Sequence, residues 1–185
     1  GSTKRLALPI VVRVDVPGLV EQKRRVAMIN DRVAVFFHDL SIGGAERVML
    51  QLAEGFIEAG HTVDLVLARA EGPLISEIPS NARVISFDTT SPLTMFVKLM
   101  RYLRAEKPKA LLSPFEVTSV IAIVAKKITG ASTRVVVRIS THLSKNKRAK
   151  WKKIVERLVV SMLYPFANGI VCVSRGVAED LVNYA

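Results

Sequence analysis

Cysteine is nearly absent from this chain of 185 residues, where Cys172 is the only one. A single cysteine excludes an internal disulfide, and with it the small secreted scaffolds that depend on several, and it fits a reducing compartment. Cys172 lies in the apolar run 170–173, which is typical of a buried structural thiol. Apolar runs long enough for a transmembrane helix are also missing.

Several signatures of catalysis are missing as well. The sequence contains neither the dinucleotide fingerprint G-x-G-x-x-G nor the phosphate loop G-x-x-x-x-G-K-[ST]. It lacks the G-x-S-x-G of serine hydrolases and any Cys, His and carboxylate cluster at metal-ligand spacing. We therefore predict no metal site and no bound cofactor.

The chain has enough apolar residues for a real core but an uneven charge. Half of its residues are hydrophobic, which is too many for a disordered chain, and its length suits one domain. Of the net charge of +11, residues 1–30 hold +4 (six Lys/Arg, two Asp/Glu) and residues 140–160 hold +6 (seven Lys/Arg, one Asp/Glu), which leaves +1 elsewhere. A partner for this charge is expected at those two stretches.

The stretch 31–60 organises the rest of the chain. Residues 33–37 form an apolar run typical of a buried parallel strand, and two adjacent glycines, Gly43 and Gly44, follow it. Apolar residues then return every three or four positions up to Gly60, which predicts an amphipathic helix. The free N–H groups at such a helix start favour an anion, although paired glycines also occur where a turn is merely tight.

Further strands are predicted at 62–67, 83–87, 110–113, 134–139 and 169–173, with helices between them. This alternation predicts an α/β fold, a Rossmann-like parallel sheet with helices on both faces. Ligands of such sheets bind beyond the carboxyl ends of the strands, so residues 39–46, 113–116, 140–144 and 174–175 are expected along one rim. An additional edge strand is predicted within 6–14.

Residues 42–47, I-G-G-A-E-R, followed by a helix, Gly60-His61 and a second strand, resemble the opening of retaining glycosyltransferases of family 4, which have the GT-B fold. The similarity runs from about Met28 to the end of the chain. It implies an N-terminal, acceptor-side domain of an enzyme that moves a sugar from a nucleotide-diphosphate donor to a saccharide or lipid-linked acceptor, usually without a metal. The D-x-D pair of metal-dependent sugar transferases is indeed missing.

The family's second domain grips the nucleotide through an acidic E-x7-E motif, to which nothing in this sequence corresponds. We therefore expect residues 28–185 to be the acceptor-side domain, the donor-binding domain to be absent from this chain, and the chain alone to be inactive. Residues 1–27 are expected to be a peripheral extension that begins with a tag remnant.

The resemblance also suggests roles for single residues. It implies that Gly43 and Gly44 approach the donor phosphates and that His142, after the strand 134–139, reaches the reacting sugar. A histidine on a solvated loop is the alternative for His142. Glu116 and Arg138 are candidates for binding the acceptor, with helix capping and a structural ion pair as their respective alternatives. For His38, at the end of the first strand, a packing or hydrogen-bonding role is expected rather than an acid–base one.

The basic segment contains six cations in nine residues, Lys145, Lys147, Arg148, Lys150, Lys152 and Lys153. Trp151 and apolar residues that include Leu158 and Met162 continue it at helical spacing, which is typical of a helix on an anionic membrane. A solvated helix with its apolar stripe in the core explains the pattern equally well. We expect a cytoplasmic protein, peripheral on the inner face of the plasma membrane if this segment docks.

Two other functions stay open. A non-catalytic Rossmann-like binding module explains the missing second domain, and a basic nucleic-acid-binding protein explains the charge. Nucleic acid is disfavoured because no aromatic stacking platform or reading motif accompanies the cations.

Overall fold

The computed structural model describes residues 10–11, 31–41, 43–114, 116–140 and 150–184, without the side chains of 10, 11, 116, 150–156 and 184. The strands are β1 (Ile10–Val11), β2 (Arg32–Phe37), β3 (Thr62–Leu67), β4 (Arg83–Ser86), β5 (Ala110–Ser113), β6 (Arg134–Ile139) and β7 (Gly169–Cys172). The α-helices are α1 (Gly44–Glu58), α2 (Pro92–Glu106), α3 (Glu116–Thr129), α4 (Lys150–Leu163) and α5 (Arg175–Tyr184). Two short 3-10 helices lie at Pro73–Glu77 and Tyr164–Phe166.

All seven strands form one parallel sheet in the order β1-β7-β6-β5-β2-β3-β4. From β2 the chain moves outward through β3 to β4, and then crosses back to place β5 on the other side of β2. The connections that leave β2 and β5 therefore diverge and open a crevice at their carboxyl ends, where sheets of this topology bind ligands. The predicted α/β fold with a Rossmann-like parallel sheet is confirmed.

Helices cover both faces of the sheet because alternate strand residues point to opposite sides. On one face α1 and the 3-10 helix Pro73–Glu77 pack around Phe37 and Leu65. On the other face α2, α3 and the end of α4 pack around Phe36 and Leu111. Both phenylalanines are fully buried, so β2 is the centre of the core.

The ends of α2 follow its local sequence. Ser91 is the N-cap and accepts a hydrogen bond from the Thr94 N–H at 3.5 Å, and Pro92 occupies the first turn, where its missing N–H costs nothing. At the other end Lys107 adopts a left-handed conformation, with φ of 46°, and donates its N–H to the Leu103 carbonyl at 3.2 Å. Pro108 then prevents the helix from continuing.

The buried side of α4 differs from the predicted one. Leu158 and Met162 were expected in the core stripe, but both are exposed, Met162 to 66%. In the described part of the helix, Val160 and Leu163 pack against the core, and Tyr164 does so in the 3-10 turn that follows. Helical spacing alone could not distinguish these sides because apolar residues lie on both.

Helix α2 packs on the core through Met95, Leu99, Tyr102 and Leu103, and the partly buried Phe96 and Met100 pack against the same core. At the sheet edge, β1 pairs with β7, as expected for an additional strand within 6–14. Among the helices in the described ranges, none combines the length and the apolar character needed to cross a bilayer.

Candidate functional site

The crevice between β2 and β5 is bordered by two groups of polar residues, one after each strand. His38, Asp39 and Ser41 follow β2 and remain accessible to solvent, whereas Ser113, Thr118 and Ser119 at the end of β5 are almost completely buried. The accessible group can contact a ligand, and the buried one can only support the site.

The side chains that follow β2 form a hydrogen-bonded cluster centred on Asp39. Its Oδ2 lies 2.9 Å from His38 Nδ1, and its Oδ1 accepts hydrogen bonds from the Ser41 N–H at 3.0 Å and from the Ser41 hydroxyl. The His38 side chain is 41% exposed and that of Asp39 is half as accessible. The hydrogen-bonding role expected for His38 is therefore present, but in an open position rather than in packing.

The charge of Asp39 is favoured by this cluster. Burial by itself would raise the pKa of the Asp39 carboxyl, but the hydrogen bonds from Ser41 and His38 outweigh it and hold the pKa below its usual value. Asp39 is thus an anion at neutral pH and can only accept hydrogen bonds. His38 must therefore carry a proton on Nδ1.

A neighbouring loop holds the backbone of this cluster from one side. The N–H of Arg69 donates to the His38 carbonyl at 3.0 Å, and the N–H of Leu40 donates to the Glu71 carbonyl at 3.0 Å. Gly72, at a φ of 116°, approaches the Leu40 carbonyl so closely that any side chain at position 72 would overlap it. The loop therefore fixes the cluster before any ligand binds.

The two glycines predicted at the phosphate site have different surroundings. Gly43 is the N-cap of α1, and a Cβ at this position would overlap the carboxylate of Glu46, a buried residue in the first turn of the helix. A Cβ on Gly44, the first residue of α1, would meet nothing within 4 Å. A side chain at position 43 would therefore displace the Glu46 carboxylate, whereas a Cβ at position 44 would displace nothing among the described residues.

The buried hydroxyl-bearing residues link the end of β5 to the first turns of α3. Ser113 Oγ lies 2.7 Å from Thr118 Oγ1, and the Ser119 hydroxyl donates to the Ser113 carbonyl at 3.3 Å. These contacts satisfy polar atoms at the foot of α3, where burial without a partner would cost free energy. They fix the direction in which α3 leaves the sheet.

Arg138, a candidate acceptor-binding residue, lies on β6, two strands from β2. It is half-buried, and its Nη1 is buried without a hydrogen-bond partner in the described part of the chain. Burial lowers the pKa of its guanidinium. The structural ion pair that was the alternative is not found among the described residues.

The other candidate site residues lie wholly or partly outside the part of the chain that the structure describes. His142, Lys145, Lys147 and Arg148 fall outside the described residues. Glu116 is the first residue of α3, and Lys150, Trp151, Lys152 and Lys153 begin α4, but their side chains are outside the description. Their predicted roles remain predictions.

Two clusters were missed by sequence reasoning. Asp39 and Ser41 were not identified, although an Asp-x-Ser turn directly after a strand-ending histidine is the local signal for them. At the opposite end of the sheet, the fully buried Asp64 accepts hydrogen bonds from Arg83 at 2.8 Å and from Tyr102 at 2.6 Å. No local pattern indicates that second cluster.

A cavity of about 330 Å³ lies between the ends of α2 and α3, where Arg104, Lys107 and Thr129 line it. Lys107 and Thr133, also in its lining, precede β5 and β6, so it opens at the amino side of the sheet, away from the crevice. Within the described ranges no group of His, Cys, Asp and Glu could hold a metal ion.

Comparison by sequence finds one family, described as Glycosyltransferase Family 4, whose profile matches residues 42–185. No match to a curated protein was found. The matched residues begin at the glycine-rich turn and include most of the chain.

Comparison by structure finds proteins of similar fold. The chain is similar to the apo form of the lipopolysaccharide outer core galactosyltransferase WaaB, with a TM-score of 0.61 and 11% identity over 83% of this chain and 42% of that one. It is similar to Anabaena Alr3699/HepE in complex with UDP-glucose (TM-score 0.62, 13% identity, 84% and 41% covered) and to Acinetobacter baumannii MurG (0.53, 15%, 77% and 41%). The chain thus spans about two fifths of the length of these proteins.

Proposed function

The chain belongs to glycosyltransferase family 4, and on that premise we propose that it is the acceptor-side half of a retaining, metal-independent glycosyltransferase. The enzyme moves a sugar from a nucleotide-diphosphate donor to a saccharide or lipid-linked acceptor. The observation that carries the proposal is the family match over residues 42–185, and the crevice between β2 and β5 supports it as the place where the reactants meet. One structural relative is a complex with UDP-glucose, which supports a nucleotide-sugar donor.

Within this proposal the candidate residues have separate tasks. The N-terminus of α1 at Gly44 faces the donor phosphates, because its free N–H groups and the helix dipole favour an anion. Arg138, Glu116 and His142 bind acceptor and sugar, and the unpaired Nη1 of Arg138 supports its assignment. The donor's nucleotide is held by a second domain outside this chain.

We also propose that the basic segment, Lys145 to Lys153, holds the domain on an anionic membrane at the cytoplasmic face. This placement would bring the crevice near a lipid-linked acceptor. The uneven charge supports it, since residues 140–160 hold +6 of the net +11.

A transfer assay tests the proposal. The purified chain and a longer version, extended by whatever its gene encodes after Ala185, are each incubated with nucleotide-sugars and saccharide or lipid acceptors, and released nucleoside diphosphate is measured. The longer protein should turn over a donor and retain the anomeric configuration, as read by NMR of the product, while the 185-residue chain should not. Turnover by the chain alone contradicts the missing-half proposal, and an inverted product contradicts retention.

A further inference from the structure

His38 is an accessible side chain at the crevice that the family motif at 42–47 does not include, and it is more exposed than its neighbour Asp39. It is the first residue after β2, the strand at which the chain direction through the sheet reverses. Its exposed side chain lies in the place where a ligand of this topology binds.

The imidazole of His38 has a defined hydrogen-bonding direction. Because Asp39 is a carboxylate held by Ser41, the 2.9 Å contact requires His38 Nδ1 to be the donor. A neutral imidazole then has its lone pair on Nε2, the nitrogen on the far side of the ring from Asp39. Such a nitrogen accepts a hydrogen bond from a hydroxyl group and does not bind a phosphate oxygen.

The direction of this lone pair is set in advance. The His38 carbonyl accepts from Arg69, the Phe37 carbonyl accepts from the Ala68 N–H at 3.1 Å, and the Leu74 N–H donates to the Leu40 carbonyl at 3.2 Å. With the backbone held on both sides of the residue and the ring held by Asp39, little conformational freedom remains to be lost when a ligand binds.

We propose that His38 binds and orients a hydroxyl group of the acceptor saccharide, with Asp39 as the residue that positions the imidazole. The proposal rests on the proposed glycosyltransferase function and deepens it by assigning an acceptor contact. The acceptor O–H donates to His38 Nε2, which leaves the oxygen lone pairs free to face the donor carbon. No bond is formed or broken by His38 itself.

The first test is NMR of the chain labelled with ¹⁵N-histidine. The chain has three histidines, so their resonances can be followed individually. His38 should show a protonated Nδ1 and an unprotonated Nε2, and adding D-glucose should shift its Nε2 resonance in a saturable way, whereas inorganic phosphate should not. His61 is an internal control, since it lies at the opposite end of the sheet next to Phe56. An unprotonated Nδ1, a response to phosphate alone, or no response of His38 to glucose overturns the proposal.

Matched variants extend the test to the longer protein. His38→Asn keeps a group that can donate to Asp39 but has nothing at the Nε2 position, while His38→Gln places a polar group near that position. Asp39→Asn keeps the imidazole and reverses which nitrogen carries the proton. His38→Asn and Asp39→Asn should raise KM for the acceptor about tenfold, the size of one lost hydrogen bond, with KM for the donor unchanged.

His38→Gln should restore much of that loss, and all three variants should melt like the wild type. Equal acceptor KM for the Asn and Gln variants, or a donor KM that rises in parallel, overturns the proposal. If the longer wild-type protein is inactive, the glycosyltransferase function is contradicted instead. The NMR response of His38 to glucose then decides whether His38 contacts a saccharide hydroxyl.

Discussion

Gly43 and Gly44 are neighbours in sequence but have different surroundings. At position 43 a Cβ would overlap the Glu46 carboxylate, the end of a flexible side chain that a substitution would displace. At position 44 a Cβ meets no described atom within 4 Å, and the backbone is ordinary helix. Under the proposed function, a side chain at position 44 would stand where a donor phosphate approaches the start of α1.

We predict that Gly44→Val in the longer enzyme lowers kcat/KM by about a hundredfold, the size expected when a main stabilising contact to the reacting group is lost. The domain should still melt at the wild-type temperature, because a Cβ at position 44 meets no described atom within 4 Å. Steady-state kinetics and thermal melting measure the two effects.

Gly43→Ala is the matched control for that experiment. It should lower the melting temperature, and the loss should shrink in a Glu46→Ala background, where the overlapping carboxylate is gone. Wild-type activity of Gly44→Val with an intact fold would show that the second glycine serves only the turn.

Helix α4 exposes an apolar side next to a dense group of cations. Leu158 and Met162 are one helical turn apart and both exposed, and Phe166, in the 3-10 turn that follows, is also exposed. Lys127 of α3 lies over the Phe166 ring, 3.4 Å from its centroid. An apolar side flanked by cations is the arrangement of helices that lie in the interface of an anionic bilayer.

We predict that the chain sediments with phosphatidylglycerol vesicles at low salt and not with phosphatidylcholine vesicles. Each cation near an anionic surface contributes roughly 1 kcal/mol, so the six from Lys145 to Lys153 suffice even if several point away. Changing Lys150, Lys152 and Lys153 together to Glu should release the protein. Trp151, the only tryptophan, reports the contact by its fluorescence.

Two apolar substitutions separate charge attraction from insertion. Met162→Ser should weaken vesicle binding, most clearly at raised salt, where the electrostatic part is screened. Leu93→Ser is the control, since Leu93 is 71% exposed on α2 and outside the cationic region. Equal partitioning on neutral and anionic vesicles, or unchanged binding after the triple substitution, would leave α4 as a solvated helix.

In the molecule as a whole, one buried carboxylate joins four elements at the amino side of the sheet. Asp64 of β3 accepts from Arg32 of β2 at 3.1 Å, from Arg83 of β4 at 2.8 Å and from Tyr102 of α2 at 2.6 Å. Glu106 completes the cluster with 2.9 Å contacts to both arginines. This network fixes β3 between its neighbours and ties α2 to them.

Burial by itself would raise the pKa of Asp64, but the hydrogen bonds from Arg83, Tyr102 and Arg32 outweigh it and hold the pKa below its usual value. We predict that Asp64→Asn lowers the free energy of unfolding by about 3 kcal/mol at neutral pH, because it replaces the charged acceptor at the buried centre of the network by an uncharged amide and leaves Glu106 as the anionic partner of both arginines. Urea unfolding measures the change.

The pH dependence of this effect has a defined sign. Because the folded pKa is lowered, the stabilisation by Asp64 is complete above the ordinary carboxyl value of about 4 and is lost as the pH falls further through the folded value. The difference between wild type and Asp64→Asn should therefore shrink only below about pH 4. Asp31→Asn, which removes an exposed pair with Lys109, is the control and should cost under about 1 kcal/mol. A comparable cost at both positions would contradict the network.

Local sequence patterns were sufficient to predict the strands and helices and to identify the family. The strands Thr62–Leu67, Ala110–Ser113 and Arg134–Ile139 were predicted to the residue, because short apolar runs between polar turns have few alternatives. The motif at 42–47 identified the family, since a glycine-rich turn before a helix is a contiguous feature. A core position for Leu158 and Met162 of α4 was wrong, because spacing gives the apolar sides of a helix but not what covers them.

By itself, then, the sequence determined the order of elements, their parallel arrangement and the family, since all three depend on residues close together in the chain. Only the tertiary structure decided the strand order, which places His38 and Asp39 at the crevice and Asp64 between two arginines that stand 32 and 19 residues from it. The physical reason is the distance along the chain between residues that interact in the fold. Burial and pairing of a charged side chain depend on groups brought together by the crossover from β4 back to β5, and no local periodicity records which groups will meet.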